Sequence, residues 1–231
     1  MGIGGAPASG ELSCPDPDVG WIVTTGRKQE TMRGVVAELC RYLVETGLPL
    51  SRMMLSVRTL HPLVAARGIF WRQGNAGCTE QIDRGHDVLT ADVYLNSPMR
   101  LAYEEGKTVR RRLAGPGAVR DFPILEELAA EGLTDYLVLP MHFTDGVRAV
   151  ATWATDRPQG FSAADVARLG ALMPVLALLV EVHVRRELSS TVLDTYIGGD
   201  AGRRVLSGSI KRGDASVIKA VLWYCDLRGF T

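Results

Sequence analysis

The sequence predicts an α+β fold, an antiparallel sheet flanked by helices. Three observations point to it. Thr144-Asp145-Gly146 separates two apolar runs, Asp135 to Phe143 and Val147 to Thr155. Asp-Gly supplies the positive φ of a tight turn, so these runs read as a β-hairpin. Thr31 to Gly47 has helical spacing, with Val35, Val36, Leu39, Cys40, Leu43 and Val44 on one broad face. Ser162 opens a long apolar helix, with Asp165 three residues on as an acidic variant of the capping box.

The remaining elements follow in chain order. Residues 1–20 are rich in Gly, Pro, Ala, Ser and Asp, with too few large apolar groups to offset ordering entropy, and are expected to be a flexible tail. Gly47 and Pro49 stop the first helix. Ser51 to Leu60 and Gly68 to Gln73 read as strands, the second from β-branched and aromatic residues. Asn75 to Thr90 is polar and carries no clear period. Ser97-Pro98 reads as a turn, Arg110-Arg111-Arg112 as a basic run, and Phe122 to Glu131 as a short helix ended at Gly132.

The long helix is expected to reach about Ile197, with Pro174 kinking or breaking its first part. Its apolar stripe is too broad for a strict heptad seam, and it turns polar at Arg185, Arg186 and Glu187. The first half would pack on the sheet, and the second could pair with the same helix of a partner chain or simply pack alone. Gly198-Gly199 breaks the helix, Ala201 to Leu206 adds a turn or two, and Gly208 stops it. The apolar run Ala220 to Cys225 then reads as a buried strand delivering Asp226 to its C-terminal end, followed by Leu227-Arg228-Gly229-Phe230-Thr231.

Composition narrows the function classes. Basic and acidic residues balance at 26 each among 231, which predicts no nucleic-acid surface. Cys14, Cys40, Cys78 and Cys225 form no CxxC pair and have no His at metal-ligand spacing, so a reduced, cytoplasmic setting is expected. The N-terminus lacks the basic start and apolar stretch of a signal peptide. Ala171 to Val180, interrupted by Pro174, reads as too short to cross a bilayer. The histidines are scattered without HExxH spacing, and no GxxxxGK[ST] string occurs. His142 could face a pocket or be structural. The arginine run could bind an anion or form a solvated edge. Trp71, Trp153 and Trp223 read as core residues of strands.

Two resemblances add to this reading. The element order, with Leu139-Pro140-Met141, the hairpin, Arg157-Pro158 and Gly160-Phe161-Ser162 before the last helix, resembles a GAF domain over residues 21–185. The string Asp226-Leu227-Arg228-Gly229-Phe230-Thr231 after an apolar run resembles the opening strand of a class III nucleotide cyclase catalytic domain, over residues 216–231. Residues 186–215 would then be a helical linker. The cyclase resemblance implies that Asp226 and the Leu227 backbone hold Mg²⁺ or Mn²⁺, and that Gly229, Phe230 and Thr231 lie against the triphosphate. It also implies ATP (or GTP) as substrate and a homodimer, because class III active sites form between subunits. The expected whole is the regulatory part of an adenylate cyclase making 3′,5′-cyclic AMP and pyrophosphate, inactive as this piece alone. The alternative is a non-catalytic ligand-sensing and dimerisation module. An Asp before a Gly-containing turn can also be a plain turn residue.

Overall fold

The structure is a computed structural model that describes residues 16–59, 63–74 and 79–208, with isolated positions 219, 221 and 223. The chain divides into two units, Met1–Leu188 and Ser189–Thr231.

In the first unit, α1 (Pro17–Thr24) begins inside the segment expected to be tail. Asp16 caps it, accepting from the N–H groups of Asp18 and Val19, and Pro17 sits in the first turn, where its missing donor costs nothing. Tertiary contacts hold so short a helix. Ile22 is buried, Trp21 stacks on Tyr42 at 5.2 Å, and the buried Asp18 accepts two 2.7 Å bonds from Arg168. A 3-10 turn (Gly26–Lys28) leads to α2 (Met32–Glu45), capped by Thr31, whose buried face is the one expected from its spacing.

Six strands form one antiparallel sheet: β1 (Arg52–Arg58), β2 (Ala66–Arg72), β3 (Thr79–Arg84), β4 (Val109–Arg112), β5 (Asp135–His142) and β6 (Arg148–Thr155), in the order β3-β2-β1-β6-β5-β4. Strand β3 fills part of the polar stretch that had no assignable period. Between β3 and β4 come a 3-10 helix (His86–Thr90), α3 (Asp92–Leu95) and α4 (Pro98–Glu105). Ser97-Pro98, expected as a turn, is the N-cap and first turn of α4, and Ser97 Oγ accepts from the Arg100 N–H. Helix α5 (Pro123–Ala130) precedes the β5–β6 hairpin, whose turn places Gly146 at φ 83°.

Strand alternation divides the interior in two. Met53, Leu55, Val57, Ile69, Leu137, Leu139, Met141 and Trp153 face α2 and α6 (Ala163–Ile197). Val138, Val150, Ala154 and Tyr136 face α4 and α5, which contribute Ala102, Tyr103, Leu125 and Leu128. Helix α6 runs through Pro174 without a break, a break being the second of the two outcomes expected of that proline. Pro174 and Gly170, whose carbonyl loses its helical donor, both lie on the exposed side, where water can satisfy that oxygen. The helix is long and apolar enough to cross a membrane by length and composition. Its Leu169, Leu172, Met173, Leu176 and Val180 are buried among the residues of the sheet and α2.

The second unit contains the end of α6 and α7 (Gly199–Leu206), which begins after Gly198 at φ 82°. Of the expected strand Ala220–Cys225, Val221 and Trp223 are described. They belong to no strand and are 95% and 87% exposed. Trp223 is therefore not a core residue here.

Candidate ligand cavity

The second face of the sheet carries the candidate site. The floor is built by β1, β2 and β3, whose even-numbered residues Met54, Ser56, Arg58, Gly68, Phe70 and Ile82 point away from α2. The roof comes from Val88 and Leu89 of the 3-10 helix, Val93 and Tyr94 of α3, Met99 and Tyr103 of α4, and Ile124 and Leu128 of α5. Together they line a partly open cavity of about 510 Å³. That is within the few hundred to a thousand cubic ångströms usual for small-molecule sites, and its mostly apolar walls with a few convergent polar groups fit that class.

The polar groups are ordered from the floor upward. Tyr103 Oη donates to Ser56 Oγ at 2.8 Å inside the protein, and burial pushes the phenol well above its ordinary value. Tyr136, deeper in the floor, is pushed up to about 12 by burial. Arg58 lies over the Tyr103 ring at 4.8 Å and beside the Tyr94 ring at 5.9 Å. Its Nη2 donates to Tyr94 Oη at 2.5 Å, and Tyr94 in turn donates to Glu104 Oε1 at 3.0 Å. Burial, then the Glu104 carboxylate, raises the Tyr94 phenol, which stays neutral near pH 7. Arg58 Nε is buried without a hydrogen-bond partner, and Glu104 is 3.9 Å from Nη2, beyond hydrogen-bond length. At one end Arg52 is neutralised by Glu131 at 2.9 Å. At the rim, Arg84 has no carboxylate partner among the described residues.

The roof is unevenly fixed. Helix α4 is capped at both ends, by Ser97 and by Gly106 in the left-handed region at φ 67°. Arg148 donates to the carbonyls of Tyr103 and Glu104 at 3.0 and 3.1 Å. Helix α3 has no side-chain cap at its N-terminus and no buried residue.

The residues singled out in the sequence fall elsewhere. Asp226, Leu227, Gly229, Phe230 and Thr231 lie outside the described residues, so the proposed metal and phosphate contacts have no geometry here. Cys14, Cys78 and Cys225 also lie outside them. Cys40 is buried in α2, and burial pushes its thiol up. No cluster of three metal-ligating side chains occurs among the described residues. His142 is exposed near the end of β5 and does not line the cavity. The run Arg110-Arg111-Arg112 is edge strand β4, and its guanidinium groups are committed to the protein. Arg110 binds Asp135 at 2.7 Å, Arg111 binds Asp121 at 2.7 Å, and Arg112 binds the carbonyls of Pro158 and Gln159. Arg58, by contrast, carries no motif. The signal available for it was its place two positions from Ser56 and four from Met54, on the face of β1 opposite the apolar Met53, Leu55 and Val57.

No protein-family model and no curated protein matches the chain. Among solved structures, the phycoerythrobilin-bound GAF domain from a cyanobacterial phytochrome is 12% identical, over 74% of this chain and 96% of that one, with a TM-score of 0.50. The GAF domain of a two-component sensor histidine kinase from Bacillus halodurans is 16% identical, over 69% and 99%, with a TM-score of 0.49. The GAF domain from a phosphoenolpyruvate-protein phosphotransferase of Coxiella burnetii is 13% identical, over 74% and 94%, at 0.47. The fold is therefore GAF-like, with a six-stranded antiparallel sheet flanked by helices. These three likenesses are to GAF domains, and none of them is to a cyclase domain.

Proposed function

We propose that residues 17–188 form a sensory module of a signalling protein and that the cavity under α3 and α4 is its ligand site. The partly open, mostly apolar cavity with Arg58, Tyr94, Tyr103 and Ser56 converging on it carries this reading. The phytochrome GAF domain shares the architecture, and that domain holds a bilin. The test is calorimetry of the chain against a metabolite panel, repeated with Met54→Trp, whose indole would fill the floor. Binding by the wild type that the filled variant loses supports the reading. Binding that survives Met54→Trp places the site elsewhere, and no binding by either leaves the module a structural one.

The finer reading is that this module regulates a class III adenylate cyclase. It rests on the Asp226-to-Thr231 string alone. In that protein Mg²⁺ or Mn²⁺, bound with ATP, would activate the ribose hydroxyl and steady the triphosphate. Asp226 would supply a carboxylate oxygen and Leu227 a carbonyl oxygen, while Gly229, Phe230 and Thr231 would lie against the phosphates. The setting would be the cytoplasm. A homodimer would form along α6, where Leu178 and Val182, one helical turn apart, are 55% and 54% exposed. The reading frame beyond the Thr231 codon decides the matter. A further domain with a second Asp on a neighbouring strand, and cyclic AMP made from ATP by the extended chain but not by residues 1–231, supports the cyclase. Turnover by residues 1–231 alone, or no cyclase sequence downstream, overturns it.

A further inference from the structure

We infer that Arg58 anchors a single carboxylate on an otherwise apolar ligand, and that segment 86–95 is the cover this ligand displaces. The inference rests on the reading of the cavity as a ligand site. A guanidinium has five N–H donors. Arg58 uses one in the structure, from Nη2 to Tyr94 Oη, and its Nε is buried with no partner. Apart from Arg84 at the rim, the neighbouring arginines are engaged by the protein. Arg52 is held by Glu131, Arg67 by Asp83 and Glu187, and Arg148 by two carbonyls of α4. Of the arginines that line the cavity, Arg52 is neutralised and Arg84 is exposed at the rim, so Arg58 is the one that combines a buried, unpartnered Nε with a place among the tyrosines.

The geometry also selects the anion. The Tyr103 ring, 4.8 Å from Cζ, backs the guanidinium, and a planar fork matches the two oxygens of a carboxylate. Glu104 lies close enough to offset part of the charge of Arg58, so the site suits one negative charge and disfavours a phosphomonoester dianion. The surrounding walls, Met54, Phe70, Ile82, Leu89 and Met99, call for an aromatic or branched aliphatic body.

Tyr94 Oη occupies the position that a ligand oxygen would take on Nη2. Tyr94 stands on α3, which has no side-chain cap at its N-terminus and no buried residue. Bonds from Arg58 to Tyr94, Tyr94 to Glu104, Ser97 Oγ to Tyr94 O at 2.7 Å, and Arg100 Nε to Leu95 O tie it down. Replacing Tyr94 on Arg58 therefore releases the first tie and frees the segment to reseat over the ligand.

The experiment is calorimetry with matched acid and amide pairs, indole-3-acetate with indole-3-acetamide and 4-methylpentanoate with 4-methylpentanamide, plus cyclic AMP. At least one acid should bind the wild type at least about tenfold tighter than its amide, as expected for charge-assisted bonds. Arg58→Met should erase that difference, weakening the acid more than the amide, with the circular dichroism spectrum unchanged. Tyr94→Phe, which removes the competing hydroxyl, should tighten the acid several-fold and speed hydrogen exchange across 86–95. Acid and amide binding equally, with Arg58→Met indifferent, overturns the anchor but leaves the cavity a ligand site. Cyclic AMP binding through Arg58 without the acids overturns the carboxylate assignment. Failure of every ligand in wild type and in Tyr94→Phe overturns the inference, and the metabolite panel then judges the cavity separately.

Discussion

Asp135→Ala should undock the start of α6 from the sheet. The Asp135 side chain is fully buried, and it accepts from Arg110 Nη2 at 2.7 Å and from the Phe161 N–H at 3.0 Å, with Arg112 Nη1 at 3.6 Å. Arg110 also donates from Nη2 to the Phe161 carbonyl at 2.5 Å, so one carboxylate ties β4, β5 and the approach to α6 together. Removing one member of a buried ion pair costs about 3–5 kcal/mol, because the other charge stays behind. Here the side chains of Arg110 and Arg112 are 35% and 30% exposed and can recover some hydration, which favours the lower end, about 3 kcal/mol. For a chain of this length that lowers Tm by about 6–12 °C. Asp135→Asn keeps an acceptor for Phe161 and should cost about half as much. Urea melts of both variants, with hydrogen exchange at Phe161 to Val166, provide the assay. A loss below about 1 kcal/mol for Asp135→Ala, or exchange unchanged at the α6 start, would refute the account.

Three further outcomes are expected. Gly160→Ala should destabilise by at least about 2 kcal/mol in the same melts, because Gly160 has φ 69° and a Cβ there would fall on the Arg112 guanidinium and 2.5 Å from Asp135 Oδ2. Arg168→Met should flatten the acid limb of stability against pH. The Arg168 hydrogen bonds hold the Asp18 carboxyl below its usual range, so its contribution is complete above the unfolded value of about 3.9 and lost as pH falls through the lower folded one; a wild-type advantage that does not shrink from pH 5 to pH 2 would contradict this. If the proposed dimer uses α6, Leu178→Glu with Val182→Glu should convert it to monomer in sedimentation while leaving the melt of the sheet unchanged; an unaltered dimer would remove that face from consideration.

What the sequence disclosed, and what it hid, follows from the range of the interactions. The β5–β6 hairpin was legible because Asp145-Gly146 encodes its own turn. The start of α6 was legible because its capping box is local: Ser162 N–H donates to Asp165 at 2.7 Å and Asp165 N–H to Ser162 Oγ at 3.1 Å. Helix α1 was hidden. Its Gly- and Pro-rich surroundings read as tail, and what holds it, Asp18 with Arg168 and Trp21 with Tyr42, joins distant positions. Strand β3 was hidden because Thr79-Glu80-Gln81-Ile82-Asp83-Arg84 is an edge strand with little apolar alternation. Pro98 announced a turn as plausibly as a helix start, and only the capping bond to Ser97 separates them. The cavity was illegible for a stronger reason. It is a gap between elements, and its cation draws meaning from two tyrosines 36 and 45 residues away along the chain.

The same alternation that separates the two cores makes β1 the shortest physical route between the cavity and α6. Met54, Ser56 and Arg58 line the cavity, while Met53, Leu55 and Val57 lie in the core that includes Leu172, Leu176 and Val180 of α6. Paired on both edges, by β2 and β6, β1 cannot slide without breaking two ladders. A ligand can bias a distant element only by binding two arrangements unequally. A bilaterally paired central strand is a poor place for the second arrangement, and the uncapped segment 86–95 is a better one. A signal would then travel as the seating of α3 and the 3-10 helix on the sheet edge formed by β2 and β3, where Arg67 of β2 reaches Glu187 near the end of the unit's share of α6. Arg67→Met should accordingly leave the cavity's affinity unchanged while uncoupling ligand binding from hydrogen exchange in α6 around Glu187. If affinity and exchange remain coupled in that variant, the route runs through β1 after all.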